Sequence, residues 1–137
     1  MQVLSRVSRL ARHLDRARKQ AFAAHDLETW EFDVLAALRR TGPPHDLSPG
    51  RLVADTLVTS GTMTNRVDRL AARGLVERRP DPNDRRGVLV RLTASGRRSV
   101  DAALDELLDH EREILGALAP AEANRLADAL RTLARQV

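Results

Sequence analysis

Apolar residues recur along the start of the chain at alternating steps of four and three: Val3, Val7, Leu10, Leu14, Ala17 and Ala21. This heptad-like seam, with Arg9, Arg12, Arg16 and Lys19 off it, predicts an amphipathic helix over residues 3–21. A second helix is expected from about 28 to 41, with Phe32, Leu35 and Leu38 inward and Gly42-Pro43-Pro44 as its stop. Ser48-Pro49 reads as the N-cap and first-turn proline of a short third helix, whose apolar side is Leu52, Val53 and Leu57. Thr59-Ser60 caps a fourth helix that runs to Arg73, with Gly74 as the glycine just past its end.

The period then changes. Leu75-Val76-Glu77-Arg78 and Val88-Leu89-Val90-Arg91-Leu92 are short strand candidates, and the polar, turn-rich residues 80–87 between them predict an exposed hairpin loop. Thr93 caps a long helix through Val100, Leu104, Leu107, Leu108, Leu115 and Leu118. Pro120 opens the last helix, with Leu126, Leu130 and Leu133 at helical spacing. Four helices, a hairpin and two helices make a mainly α fold with a small β-hairpin. Its centre (short helix, tight turn, second helix, hairpin) is a winged helix-turn-helix.

At 137 residues the chain is expected to be one domain, residues 1–137. Only Phe22, Trp30 and Phe32 are aromatic, which excludes a stacking platform for single strands. There is no cysteine, so thiolate chemistry, disulfides and cysteine-ligated zinc are excluded. His13, His25, His45 and His110 lack metal-binding spacing, and neither a metal nor a cofactor is expected. No Ser/His/Asp arrangement or phosphate-cradling glycine loop supports an enzyme. No apolar run reaches the ~20 residues of a membrane span. Arg6, Arg9 and Arg12 interrupt any signal-peptide core, so a soluble, cytoplasmic protein without a membrane partner is expected.

Charge is distributed unevenly. Of 23 basic residues only Lys19 is not arginine, and arginine is the better ligand for phosphate and guanine, although a GC-rich genome accounts for part of that ratio. Residues 1–24 carry six basic groups and one acid, and residues 48–98 carry eleven and five. Residues 25–47 carry two against five, and residues 99–137 four against eight. The modest total of +4 therefore hides a basic first helix, a basic middle and an acidic tail.

With Met63, Val67, Leu70 and Ala71 inward, the fourth helix turns Thr62, Asn65, Arg66 and Arg69 outward. Small hydroxyls near a helix start (Ser60, Thr62, Thr64), followed by an amide and two guanidiniums, suit entry into a major groove. A plain solvated face has the same spacing. The following segment favours the groove: Arg78, Arg79, Arg85, Arg86 and Arg91 lie on or beside a hairpin pinned by two prolines. Such a wing suits phosphate contacts and an arginine inserted in a minor groove. Asp84 is placed either to hold the Arg86 guanidinium or to start a turn.

The runs Ser60-Gly61-Thr62-Met63-Thr64-Asn65-Arg66-Val67-Asp68-Arg69-Leu70, Arg73-Gly74-Leu75-Val76, Asp81-Pro82-Asn83-Asp84-Arg85-Arg86-Gly87 and Val90-Arg91-Leu92-Thr93-Ala94-Ser95-Gly96 resemble the MarR family of bacterial transcriptional regulators. The helical layout resembles that family over essentially the whole chain. The resemblance implies a ligand-responsive repressor, dimeric and winged-helical, that occupies a pseudo-palindromic site on double-stranded DNA. It implies that residues 60–69 form the recognition helix, Arg86 the minor-groove contact and Asp84 its partner within the wing. It also implies a small, often aromatic or phenolic anion as effector near the junction with the DNA-binding lobe. Two departures stand out. Asp26-Leu27-Glu28 replaces the usual Gly-Leu-Thr, moving the second helix's N-cap to Asp26 or Thr29, and the N-terminal extension of some members has no counterpart before a first helix that starts almost at Met1.

Trp30 is either core or, with Phe22 and His25, the wall of an effector cavity. The expected DNA-binding lobe is residues 28–95. Residues 1–24 and 99–137 are expected to form a dimerisation region through Val3, Val7, Leu10, Leu14, Leu115, Leu118, Leu126, Leu130 and Leu133. Such a homodimer would set two recognition helices about one DNA turn (~34 Å) apart. The competing reading is a winged-helix module that binds protein and not DNA; the wing arginines argue against it, because protein interfaces favour apolar and aromatic anchors.

Overall fold

The computed structural model describes residues 2–137; Met1 lies outside the described residues. The elements run α1 (Gln2–Ala23), α2 (Thr29–Arg39), β1 (Asp46–Leu47), α3 (Pro49–Thr56), α4 (Ser60–Ala72), β2 (Val76–Asp81), β3 (Asp84–Leu92), α5 (Ala94–Leu115) and α6 (Pro120–Ala134). No described helix is long and apolar enough to cross a membrane.

Helix starts follow local hydrogen-bonding chemistry. Ser48 accepts from the Arg51 N–H at 3.2 Å, Thr59 from Thr62 at 3.2 Å and Thr93 from Gly96 at 3.0 Å. Each side chain satisfies an amide that the first helical turn leaves without a partner. The start of α2 departs from expectation: its N-cap is Glu28, while Asp26 takes a left-handed turn conformation at φ 57°. Glu31 explains the shift, because its Oε1 accepts from the Glu28 N–H at 3.0 Å, the return half of a capping box. Gly74, at φ 72°, ends α4 as expected.

The sheet differs from a simple hairpin. β1 adds a third strand, and the antiparallel order is β1-β3-β2, with Asp46 opposite Arg91 and Leu47 opposite Val90. Two residues are too short to show a period of two, so nothing in the pattern announces β1. The expected loop over 80–87 is also mostly strand: β2 reaches Asp81, β3 starts at Asp84, and only Pro82 and Asn83 form the turn. Both faces of the hairpin tip are exposed, so its sequence lacks the alternation that marks a half-buried strand. A third correction concerns α5, which ends at Leu115 and leaves Leu118 in the connection to α6.

The core lies beneath α2. Phe22 stacks on Phe32 with ring centroids 4.0 Å apart, and Leu35, Leu38, Leu52, Met63, Leu70, Val90 and Val100 are buried around them. The α1 seam divides. Ala17 and Ala21 are buried in this core, whereas Val3, Val7 and Leu10 stay exposed and Leu14 is half-buried. α6 buries no residue. Gly96 lets α5 approach the base of the wing: a Cβ there would sit 2.1 Å from the Leu75 carbonyl oxygen. Gly96→Ala should therefore cost roughly 1–3 kcal/mol as overpacking, read as a lower urea midpoint at fixed protein concentration. An unchanged midpoint would contradict this packing.

Candidate nucleic-acid interface

α4 turns Met63, Val67 and Leu70 into the core and leaves Thr62, Asn65 and Arg69 exposed, with Arg66 half-buried. Its C-terminus is lashed to α2. The Arg73 guanidinium donates to the Glu31 carboxylate and, at 2.7 Å, to the Asp26 carbonyl. Asp68 accepts from Arg78 at 2.6 Å, tying the helix to the wing. Thr59 and Thr62 share a hydroxyl hydrogen bond of 2.9 Å, and the Thr64 hydroxyl donates to the Ser60 carbonyl at 3.0 Å. Ser60 lies exposed in the first turn, where free amides and the helix dipole favour a phosphate.

Thr62, Asn65, Arg66 and Arg69 share one open cavity of about 460 Å³ with Gly61 and Trp30. The Arg69 guanidinium carbon lies 4.9 Å from the Trp30 ring centroid, and that of Arg66 lies 5.4 Å away. The Trp30 Nε1–H donates to Glu28 Oε2 at 2.5 Å, and the same oxygen is 3.9 Å from Arg69 Nη2. Trp30 is thus neither plain core nor a neighbour of Phe22 in a pocket. Phe22 is fully buried against Phe32, and His25 Nε2 pairs with Glu106 at 2.7 Å, joining the turn after α1 to α5. The expected effector cavity of Phe22, His25 and Trp30 is therefore not assembled. No local spacing links residue 30 to residues 66 and 69, which is why the sequence hides this contact.

The wing separates five arginines into two groups. Arg91 donates to Asp46 Oδ2 from Nε at 3.2 Å and from Nη2 at 2.8 Å, closing β1 onto β3, and Arg79 pairs with Glu77 at 2.9 Å. With Arg78 held by Asp68, three of the five guanidiniums already have carboxylate partners. Arg85 and Arg86 are exposed on β3 beside the tip, and among the described residues neither makes an ion pair. Asp84 does not hold the Arg86 guanidinium. Its Oδ1 accepts from the Arg86 main-chain N–H at 3.0 Å, as Asp81 does from Asn83 at 2.9 Å. Both carboxylates stiffen the turn.

Residues 25–87 match the model of the MarR family. The chain is 36% identical over 126 residues to the HTH-type transcriptional regulator PecS of Dickeya dadantii, covering 92% of this chain and 76% of PecS. It is 38% identical over 82 residues to the multiple antibiotic resistance protein MarR of Escherichia coli, spanning 60% of this chain and just over half, 55%, of that protein. Among solved structures, wild-type apo MarR from E. coli superposes with a TM-score of 0.77 at 28% identity, covering 96% of each chain. A mutant MarR from E. coli complexed with operator DNA gives a TM-score of 0.76 at 28% identity, covering 97% of this chain and 94% of that one. With this geometry and these relatives together, the chain belongs to the MarR family of winged helix-turn-helix transcriptional regulators.

Proposed function

We propose that this chain is a sequence-specific, double-stranded DNA-binding transcriptional regulator that occupies a pseudo-palindromic operator as a homodimer. The observation that carries the reading is the pairing of an outward stripe on α4, exposed Thr62, Asn65 and Arg69 with half-buried Arg66, with two guanidiniums on the wing, Arg85 and Arg86, that make no ion pair among the described residues. The stripe suits base edges in a major groove, and the wing suits phosphates and a narrow minor groove. In this reading residues 28–95 form the DNA-binding lobe. Residues 1–24 and 99–137 form the dimerisation region.

Exposure of the terminal helices supports the second half of the reading. Val3, Val7, Leu10, Leu115, Leu126, Leu130 and Leu133 are exposed, and Leu14 and Leu118 are half-buried. α1 and α6 enclose an apolar groove of about 390 Å³, with Val3, Val7, Leu10, Leu14, Leu126 and Leu130 on its walls. An apolar surface of this continuity calls for a second protein surface. The basic α1 and the acidic tail make the two regions electrostatically complementary across a twofold axis.

Arg86→Ala should weaken operator binding by about 1.5–3 kcal/mol, the scale of a lost charge-assisted contact, with the thermal midpoint unchanged. Wild-type affinity at moderate salt would remove Arg86 from the interface. Asp84 supplies a companion test, because its contact is to a main-chain amide and needs an acceptor and not a charge. Asp84→Asn should bind nearly as wild type and Asp84→Ala less well. Equal losses in both would instead mean that the charge matters.

Assembly is tested separately. Leu126→Asp and Leu130→Asp should shift sedimentation from dimer to monomer, lower the thermal midpoint and abolish operator binding together. A wild-type chain that sediments as a stable monomer at micromolar concentration overturns the dimer, as do variants that dimerise and bind normally.

A further inference from the structure

The surroundings of Trp30 carry an inference that rests on the DNA-binding reading and deepens it. We propose that Trp30 is a positioning residue for sequence readout: its indole is the rail on which Arg66 and Arg69 are held in their reading poses. Three observations meet at this ring. Its buried side packs against the core around α2. Its Nε1–H is engaged by Glu28 Oε2 at 2.5 Å, which fixes the ring's rotation about its side-chain bonds. Both guanidiniums then lie within cation–π distance of it, at 4.9 and 5.4 Å from the centroid.

A free arginine on a helix surface samples many rotamers and loses that freedom when it docks on a base edge. A ring anchored in the core removes part of that loss before DNA arrives. Arg66 and Arg69 are three residues apart, so on a helix their stems rise from the same face, and one ring can serve both. Glu28 adds a second restraint, because the oxygen that holds the indole also lies 3.9 Å from Arg69. It opposes a solvent-directed swing of that guanidinium. The effect belongs to specificity and not to bulk attraction: removing the ring changes no formal charge, so the phosphate-driven, salt-dependent part of binding stays.

The test compares Trp30→Phe with Trp30→Leu. Both fill the apolar side of the site, and only Phe keeps a π face. Affinities are measured for a duplex selected by the wild-type chain from a random-sequence pool, and for a scrambled duplex of equal length, across a salt series. Trp30→Leu should lose about 5- to 30-fold on the selected duplex. Its affinity for the scrambled duplex and its salt slope should match wild type, and Trp30→Phe, which keeps the π face but loses the N–H to Glu28, should recover part of the loss. Equal affinities of the Phe and Leu variants for the selected duplex, whether both normal or both reduced, would overturn the role. So would an equal loss on both duplexes. A wild-type chain that does not discriminate between the duplexes overturns DNA readout itself, and is thereby distinguished from failure of Trp30 alone.

Discussion

The Glu31 carboxylate lies between the start of α2 and the end of α4, and a charge buried to that depth is tolerable only because both its oxygens are engaged. One accepts from the Glu28 amide and opens α2; the other accepts from Arg73, the cap residue just past α4. Arg73 reaches on to the Asp26 carbonyl, which brings the connection after α1 into the same knot. The connection after α1, the start of α2 and the sequence-distant end of α4 are thereby locked at one point. Removing either partner would strand a charge or an amide, so this contact pins the end of α4 against α2, while the buried stripe of Met63, Val67 and Leu70 sets which way the helix faces.

The orientation of the outward face follows. With its end held by Glu31 and its inward stripe set in the core, α4 presents Thr62, Asn65, Arg66 and Arg69 on one side, against a ring delivered by the second residue of α2. The wing is framed the same way. Asp68 and Asp46 engage Arg78 and Arg91, so charge pairs join the hairpin to α4 on one flank and to β1 on the other. What is left uncommitted is a small set at the tip, Arg85 and Arg86, on a turn stiffened by Asp81 and Asp84. The division between framing and free guanidiniums is the chemical content of the interface.

Much of this was legible in the residues themselves. The caps at Ser48, Thr59 and Thr93 and the glycine at 74 act through neighbours within four residues, and they place the starts of α3, α4 and α5 and the end of α4, whereas Leu57, expected on the apolar side of α3, lies past its end and is exposed. The outward stripe of α4 was readable for the same reason, since helical spacing alone sorts Met63, Val67 and Leu70 from Thr62, Asn65, Arg66 and Arg69. What the sequence concealed depends on contacts between distant segments. β1 exists because β3 offers it a partner, Glu28 becomes a cap because Glu31 reaches back, and Trp30 meets Arg66 and Arg69 through tertiary packing. A count of arginines in the wing could not separate those neutralised by Asp46, Asp68 and Glu77 from the two that remain free.

The terminal helices state the remaining constraint: α6 has no buried residue within its own chain, and the apolar seam of the first half of α1, through Val3, Val7 and Leu10, is uncovered. A second copy resolves both, and it would also give a DNA-binding lobe a twin. The most direct measurement of that whole account is binding stoichiometry on a selected duplex, followed across a salt series. The account predicts two chains per duplex and a log–log salt slope that steepens by about 0.9 for each phosphate neutralised. One chain per duplex, or an affinity indifferent to salt, would contradict it.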